Sequence, residues 1–182
     1  MIGSDIYKRF YTRWMDYFYY FFHFGLDALK KDGILSYITT NYYFTSTGGI
    51  KLREDIKKRA TIFSIVDFNE IKVFESARGQ HNSITILTKG KKELITESII
   101  CNSNLTINES HLNLILNGLD KDTIYSKIKS TNIFDGSDFQ IRIKGINSGN
   151  NIDTILDLIA KKSKTKLGDI SQITMGVVTL SD

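Results

Sequence analysis

Proline is absent from this chain, and cysteine occurs once, at Cys101. Without proline the chain loses a common marker of turns and boundaries, and no motif built on an X-Pro step can occur in it. A lone cysteine excludes an internal disulfide and a thiolate-rich zinc site, and it fits a reducing compartment. No stretch of about 18 uncharged apolar residues occurs, so a membrane-spanning helix and a membrane partner are not expected. The opening Met1-Ile2-Gly3-Ser4-Asp5 lacks a basic segment followed by an apolar one, which leaves a cytoplasmic location as the expectation. Neither GxGxxG nor GxxxxGK[ST] is found, so nothing supports a dinucleotide fingerprint or a P-loop. The 3 histidines, His23, His81 and His111, are not paired at metal-ligand spacing, and no metal site is expected. Ser76 and His81 do not amount to a nucleophilic triad.

The composition permits a core. Hydrophobic residues make up 41% of 182 positions, enough for one substantial domain or a domain with an appendage. Formal net charge is +4, from 24 basic and 20 acidic residues. The charge is spread along the chain, and it is compatible with a nucleic-acid partner.

Organisation centres on 32–89. Ile34-Leu35-Ser36-Tyr37-Ile38-Thr39-Thr40 is mostly apolar and β-branched, as in a strand covered on both faces. The charged run from Leu52 to Ala60 reads as a crossover helix, and Ile62 to Phe68 as the next strand. Asn82 to Thr88 reads as a third strand, an antiparallel edge beside its predecessor. Ahead of this block, Tyr7, Phe10, Tyr11, Trp14, Phe18, Phe21, Phe22, Gly25 and Leu29 share a helical stripe that Asp5 would cap. Gly33 would end this helix in a left-handed C′ position. The stripe reads as a wide helix buried against a sheet, with a pocket-lining role for one or two rings as the alternative.

Beyond residue 92 the pattern is looser. Leu94 to Thr96 and Ser98 to Cys101 read as strands, 102–104 as a turn, Leu112 to Leu116 as a short apolar element, Thr123 to Ile128 as helical and Phe139 to Ile143 as a strand. Gly145 to Asn151 is glycine- and asparagine-rich and reads as a linker. A helix is expected from Ile152 to Lys162, and a strand-like run over Ile173–Thr179.

Ligands in parallel α/β folds sit beyond the carboxyl ends of strands, which directs attention to Asn41 through Gly49. Asp67, Glu70 and Glu75 are candidate carboxylates, better read as a solvated loop. Phe74 stands in a charged loop between two strands, either tucked into the core or available to stack on an extruded base. Lys72, Arg78 and Gln80 flank it as candidate phosphate or base-edge contacts.

Taken in order, Leu29-Lys30-Lys31-Asp32-Gly33, the strand from Ile34, the loop Asn41 to Phe44, Lys51-Leu52-Arg53-Glu54, Ile65-Val66-Asp67-Phe68, Val73-Phe74 and Asn82 to Lys89 form a pattern. It resembles the second half of the catalytic domain of adenine-specific (N6) DNA methyltransferases of restriction–modification systems, including fused restriction-methylase enzymes. Leu167-Gly168-Asp169-Ile170 with Ile173 to Thr179 is similar to the opening of that family's target-recognition region. The resemblance implies an α/β fold: a partial Rossmann-like methyltransferase sheet, then a mixed α/β segment, then the start of a second domain. The implied layout is a catalytic half-domain over 1–92, a variable segment and linker over 93–150, and a recognition-domain start over 151–182.

The resemblance also implies methyl transfer from S-adenosylmethionine to the N6 amine of an adenine flipped out of double-stranded DNA. Phe74 would stack on the target base, Phe21 would contact the cofactor's adenine, and Tyr42 and Tyr43 would lie at the pocket mouth. The chain departs from the family pattern by lacking both the Asn-Pro-Pro-Tyr motif and the glycine-rich cofactor loop. The expectation is therefore a truncated or split enzyme, inactive alone, that exposes apolar edges where a complementary polypeptide would sit. A noncatalytic DNA- or partner-binding module is the alternative.

Overall fold

The computed structural model describes residues 8–74, 81–102, 108–143, 158–159, 161–165 and 167–171. The chain divides into two units, Met1–Ser148 and Gly149–Asp182.

In the first unit, helix α1 (Phe18–Ala28) leads into strand β1 (Ile34–Thr40). Short 3-10 turns at Asn41–Phe44 and Thr47–Gly49 follow, then helix α2 (Ile50–Arg59) and strand β2 (Ala60–Asp67). Strands β3 (Asn82–Lys89) and β4 (Ile95–Ile100), helix α3 (Glu109–Leu116) and strand β5 (Ile124–Lys129) come next. A two-stranded ribbon of β6 (Phe134–Asp135) and β7 (Gln140–Ile141) closes the unit. In the second unit, positions 158–159 and 161–162 are helical, and Leu167–Ile170 forms the short helix α4. The turn, linker and strand expected over 102–104, 145–151 and 173–179 lie wholly or mostly outside the described residues.

Five strands form one sheet in the order β1-β3-β2-β4-β5. β3 runs antiparallel to both β1 and β2, so those two point the same way with β3 between them. β2 and β4 pair in parallel, and β4 and β5 antiparallel. The expected edge position of β3 is thus corrected: it is central. The strand carries no charge before Lys89, and Ile84 and Ile86 alternate with Thr85 and Leu87. Both faces therefore need cover, which a central position supplies.

Alternation sorts the sheet into two faces. On the first, Leu35, Tyr37, Leu87, Ile62 and Ile65 pack with Phe22 and Leu26 of α1 and Leu52 and Ile56 of α2. On the other, Val66, Ile84 and Ile99 pack with Leu112 and Ile115 of α3 and with Phe68, Ile71 and Val73 from the segment after β2. Burial of each large apolar side chain contributes roughly 1.5–3 kcal/mol.

Four further expectations are corrected. The long aromatic helix is interrupted: positions 8–10 are helical, but Trp14 takes a left-handed backbone (φ 67°) and α1 begins only at Phe18. Trp14 and Phe21 consequently lie outside the core, while Tyr19, Phe22 and Leu26 form its buried face. The left-handed residue after α1 is Asp32 (φ 64°), not Gly33. Its N–H donates to Lys89 O and its carboxylate pairs with Lys92, so long-range contacts fix the turn there. Residues 124–129 are a strand, because Ile124, Ser126 and Ile128 alternate with Tyr125, Lys127 and Lys129. The strand expected over 139–143 shrinks to Gln140–Ile141, since Phe139 adopts φ 54°.

Candidate functional site at the strand ends

β1, β2 and β4 end together, and the start of β3 lies between the first two. Asn41, directly after β1, donates from Nδ2 to both carboxylate oxygens of Asp67 at the end of β2, at 3.1 and 3.2 Å. Asp67 also accepts the Asn69 N–H at 3.1 Å. The Asp67 carboxylate is buried, which corrects its reading as part of a solvated loop. It bridges two strand ends across β3.

The segment after Asp67 is anchored and then released. Phe68 N–H donates to Asn82 O at 2.9 Å, Ile71 N–H to Phe68 O at 2.9 Å, and Phe68, Ile71 and Val73 enter the core. Phe74 follows at once and is 43% exposed. The ring is therefore not tucked into the core. His81 approaches Glu70 at 3.8 Å, while Glu75, Arg78 and Gln80 lie outside the described residues.

The loop after β1 is clamped from below. Arg53 on α2 is fully buried, and its Nη1 donates to Tyr43 O (2.9 Å) and Ser46 O (2.7 Å) while Nε donates to Asp138 O (2.9 Å). Burial away from water lowers the Arg53 pKa. Gly49 is needed here, because a Cβ would stand 2.6 Å from Arg53 Nη1. Gly48 is needed as well, since its Cβ would collide with the Trp14 carbonyl. Tyr19 and Ser46 hydroxyls meet at 2.9 Å, tying α1 to the same loop.

Tyr43, expected at a pocket mouth, is instead buried, with its hydroxyl 2.5 Å from Thr85 Oγ1. Burial raises its pKa. The turn Asn41–Phe44 rotates Tyr43 and Phe44 inward and leaves Tyr42 exposed. Phe21 presents an exposed ring on α1, and its carbonyl accepts from the Tyr37 hydroxyl at 3.2 Å. Phe21 and Phe74 are thus carried by different elements. Cys101, just past β4, is buried, and burial pushes its thiol up to about 11, so it is no nucleophile at neutral pH.

A second polar cluster joins α1 to α2. His23 Nδ1 lies 2.6 Å from Asp55 Oδ2, Arg59 bonds both Asp55 and Asp27, and Phe10 stacks on the His23 ring at 3.9 Å. Burial pulls the Asp55 pKa upward, but the His23 and Arg59 bonds outweigh it and hold the carboxyl below its ordinary value. Neither this cluster nor the Arg53 clamp is visible in the sequence. Only the Asp55–Arg59 pair has a local, i,i+4 spacing; His23 and Asp55 lie 32 residues apart and Arg53 and Asp138 85, and no local pattern pairs those.

Residues 3–74 match the family described as Eco57I restriction-modification methylase. No curated protein matches the chain. Among solved structures, a modification subunit assigned to a type I restriction enzyme from Vibrio vulnificus is similar, with a TM-score of 0.54 and 13% identity. That likeness covers 75% of this chain and 33% of the other. The type I restriction-modification methyltransferase subunit from Streptococcus thermophilus gives a TM-score of 0.48 at 16% identity, covering 65% of this chain and 28% of that one. The type IIG restriction endonuclease BpuSI gives 0.45 at 13%, covering 61% and 14%. The chain therefore spans about a third or less of these structures. At a general level the family match relates residues 3–74 to restriction-modification methylases, and the Vibrio likeness extends to the mixed α/β fold.

Proposed function

We propose that this chain is the later half of the catalytic fold of an adenine-specific DNA methyltransferase, followed by the start of a target-recognition domain over 151–182. On this reading it acts in the cytoplasm on double-stranded DNA, together with the earlier half of that fold. The observation that carries the reading is the methylase match over 3–74, which ends on the one exposed aromatic of the anchored loop, Phe74. An extruded base needs a ring to replace its stacking partners, and such a contact contributes about 1–3 kcal/mol. The setting of Phe74 supports this reading: core residues hold the chain up to Val73, and the Phe74 ring is not buried.

S-adenosylmethionine, when bound, supplies a methyl group activated by its sulfonium centre. Among the described residues the reading assigns it only Phe21, whose exposed ring would lie against the cofactor's adenine. One ring does not make a cofactor pocket, and the chain has no Asn-Pro-Pro-Tyr motif to hold the adenine amine. Such a transfer needs alignment of the amine more than a strong base. This chain's share of the work is therefore stacking and positioning, and the remaining groups come from the complementary half.

The test is tritiated methyl transfer to mixed-sequence DNA, with the chain alone and with the polypeptide encoded immediately upstream. Activity only in the mixture supports the proposal. Activity of the chain alone refutes the need for a second half. The alternative, a noncatalytic binding module, draws on the missing motif and the net charge of +4, and DNA binding without methyl transfer in the mixture would favour it.

A further inference from the structure

Exposed rings and cations alternate along the segment ahead of α1. Residues 8–17 present Lys8, Arg9, Arg13, Trp14 and Tyr17 to solvent, against one exposed acid, Asp16. Trp14 is 78% exposed and Tyr17 86%, whereas tryptophan is normally among the more buried side chains. Trp14 also sits at φ 67°, a left-handed backbone that a bulky side chain rarely adopts. Arg13 lies over one face of the Trp14 ring, 4.9 Å from its centroid. Among the described residues no aromatic ring contacts Trp14, so its other face is open to a flat partner.

A basic cavity opens beside the same segment. Its volume is about 330 Å³, and it is lined by Arg9 and Phe10 from the segment and by Lys51, Glu54 and Lys58 from α2. Asp55 and Arg59 also line it, but they bond each other and are further engaged by His23 and Asp27. Three cations therefore remain against one carboxylate. Lys51 and Lys58 make no hydrogen bond or ion pair among the described residues, and Arg9 reaches Asp27 only at 3.9 Å. The position of Arg9 is set from the core. Its guanidinium lies 4.5 Å from the centroid of the buried Phe10 ring, Phe10 stacks on His23 at 3.9 Å, and His23 is bound to Asp55.

Ring and cavity belong to one strip along α2. Gly48 lies against the Trp14 carbonyl, just before α2 starts. Lys51 stands in the first turn of α2, and Lys58 lies two turns on, about 10.5 Å further along the axis. Arg9 is joined through Asp27 to Arg59 at the helix end. A flat face at one end and spare cations along an open cavity suit a chain of alternating bases and phosphates. A base inside a duplex already has a neighbour on each face, so only an unpaired base can take the ring. A protein partner fits less well, because the residues around the ring, Arg13 and Asp16, are charged, and charge is depleted at the centre of protein interfaces.

We propose that residues 8–17, together with α2, bind a single-stranded stretch of nucleic acid, with one unpaired base on Trp14 and neighbouring phosphates at Arg9, Lys51 and Lys58. The site does not involve Phe74, and it needs neither the methyl-transfer reading nor a second polypeptide.

Titration of the 182-residue chain with labelled thymidine and uridine oligonucleotides of about 12 nucleotides tests this. Trp14 is the only tryptophan, so quenching of its fluorescence reports stacking on this ring. Single strands should quench it and bind about tenfold or more tightly than a duplex of the same length. A preference between the two sugars names the natural source. Trp14→Gly removes the ring and suits the left-handed backbone. It should keep the unfolding midpoint while binding, followed by anisotropy of the label, weakens by about 5- to 150-fold. Lys51→Gln with Lys58→Gln should reduce the slope of log affinity against log salt by about 1.4. No binding at low salt, equal affinity for duplex, binding without quenching, an unchanged salt slope or a Trp14→Gly chain that binds normally overturns the proposal. Quenching lost in Phe74→Ala would move the base to the strand ends and overturn it too. A complex with an acidic protein that Trp14→Gly abolishes, without oligonucleotide binding, assigns the strip to a protein partner instead.

Discussion

Replacing Arg53 with methionine removes the clamp beneath the loop after β1 while keeping a side chain of similar reach. The guanidinium bonds three backbone carbonyls, those of Tyr43, Ser46 and Asp138, and no carboxylate. The Tyr43 bond is buried and those to Ser46 and Asp138 partly so, and a fully buried carbonyl left without its donor costs about 1–3 kcal/mol. Relief from burying a charge offsets part of this, because desolvating an ion costs several kcal/mol by itself. Partial collapse of the loop offsets more. A net loss of about 3–5 kcal/mol follows, with a fall in Tm of about 10 °C at the roughly 2–4 °C per kcal/mol usual for this size. Urea unfolding gives the first figure and thermal unfolding the second. Amide exchange should locate the damage, speeding at residues 44–49 and 138–141 while β4 and β5 keep their protection. Arg53→Lys should recover less than half the loss, since one ammonium cannot span three carbonyls on two sides. A midpoint within about 1 kcal/mol of the parent for Arg53→Met would refute the reasoning and show that the carbonyls find other donors.

Asp55 has a depressed pKa in the fold, so the stability it contributes is present above the unfolded carboxylate value and lost as pH falls through the folded one. Asp55→Asn should flatten the acid limb of a urea-midpoint-against-pH profile, and an unchanged limb would refute the assignment. Gly48→Ala drives a Cβ into the Trp14 carbonyl and should cost about 1–3 kcal/mol. Trp14 is the only tryptophan, so its fluorescence reports the displacement directly, and an unchanged spectrum and midpoint would sink the contact. Phe74→Ala should leave the unfolding midpoint within about 0.5 kcal/mol. It should also lower methyl transfer in the complemented enzyme by about 5- to 150-fold, the range set by the stacking energy. Cys101, with its thiol pushed up to about 11, should resist a disulfide reagent at pH 8 in the native state and react at once in urea.

The legible part of the fold was the part carried by local pattern. β1, α2, β2 and β3 lie where alternation and charge place them, within about two residues. Failures arose where a distant contact overrode the local signal. The aromatic stripe from Phe10 to Leu29 keeps a helical period, yet the Gly48 backbone pressed against Trp14 accompanies a break at residue 14. Asp32 holds the left-handed turn because Lys89 and Lys92 engage it, although Gly33 is the residue better suited by itself. Strand order was illegible for a similar reason. A short polar approach announces an antiparallel return, but only the width left by the α2 crossover says that β3 enters between β1 and β2 instead of flanking them. At the strand ends, Asn41 was placed correctly in the region of interest, but its bond to Asp67 joins residues 26 apart and has no sequence signature.

The two edges of the sheet differ in an equally local way: β5 alternates apolar residues with Lys127 and Lys129, and β1 carries no charge. A sheet adapted to present both edges to water would be expected to carry on each what β5 carries on one: lysines that make pairing with a stray strand unfavourable. β1 instead keeps the apolar, β-branched sequence of a strand with a neighbour on each side, and Ile34 and Ile38 remain where a second layer would cover them. Selection for solubility acts on exposed residues and is indifferent to covered ones. An uncharged edge beside a charged one therefore records which side of the sheet normally meets water. That inference needs no family assignment.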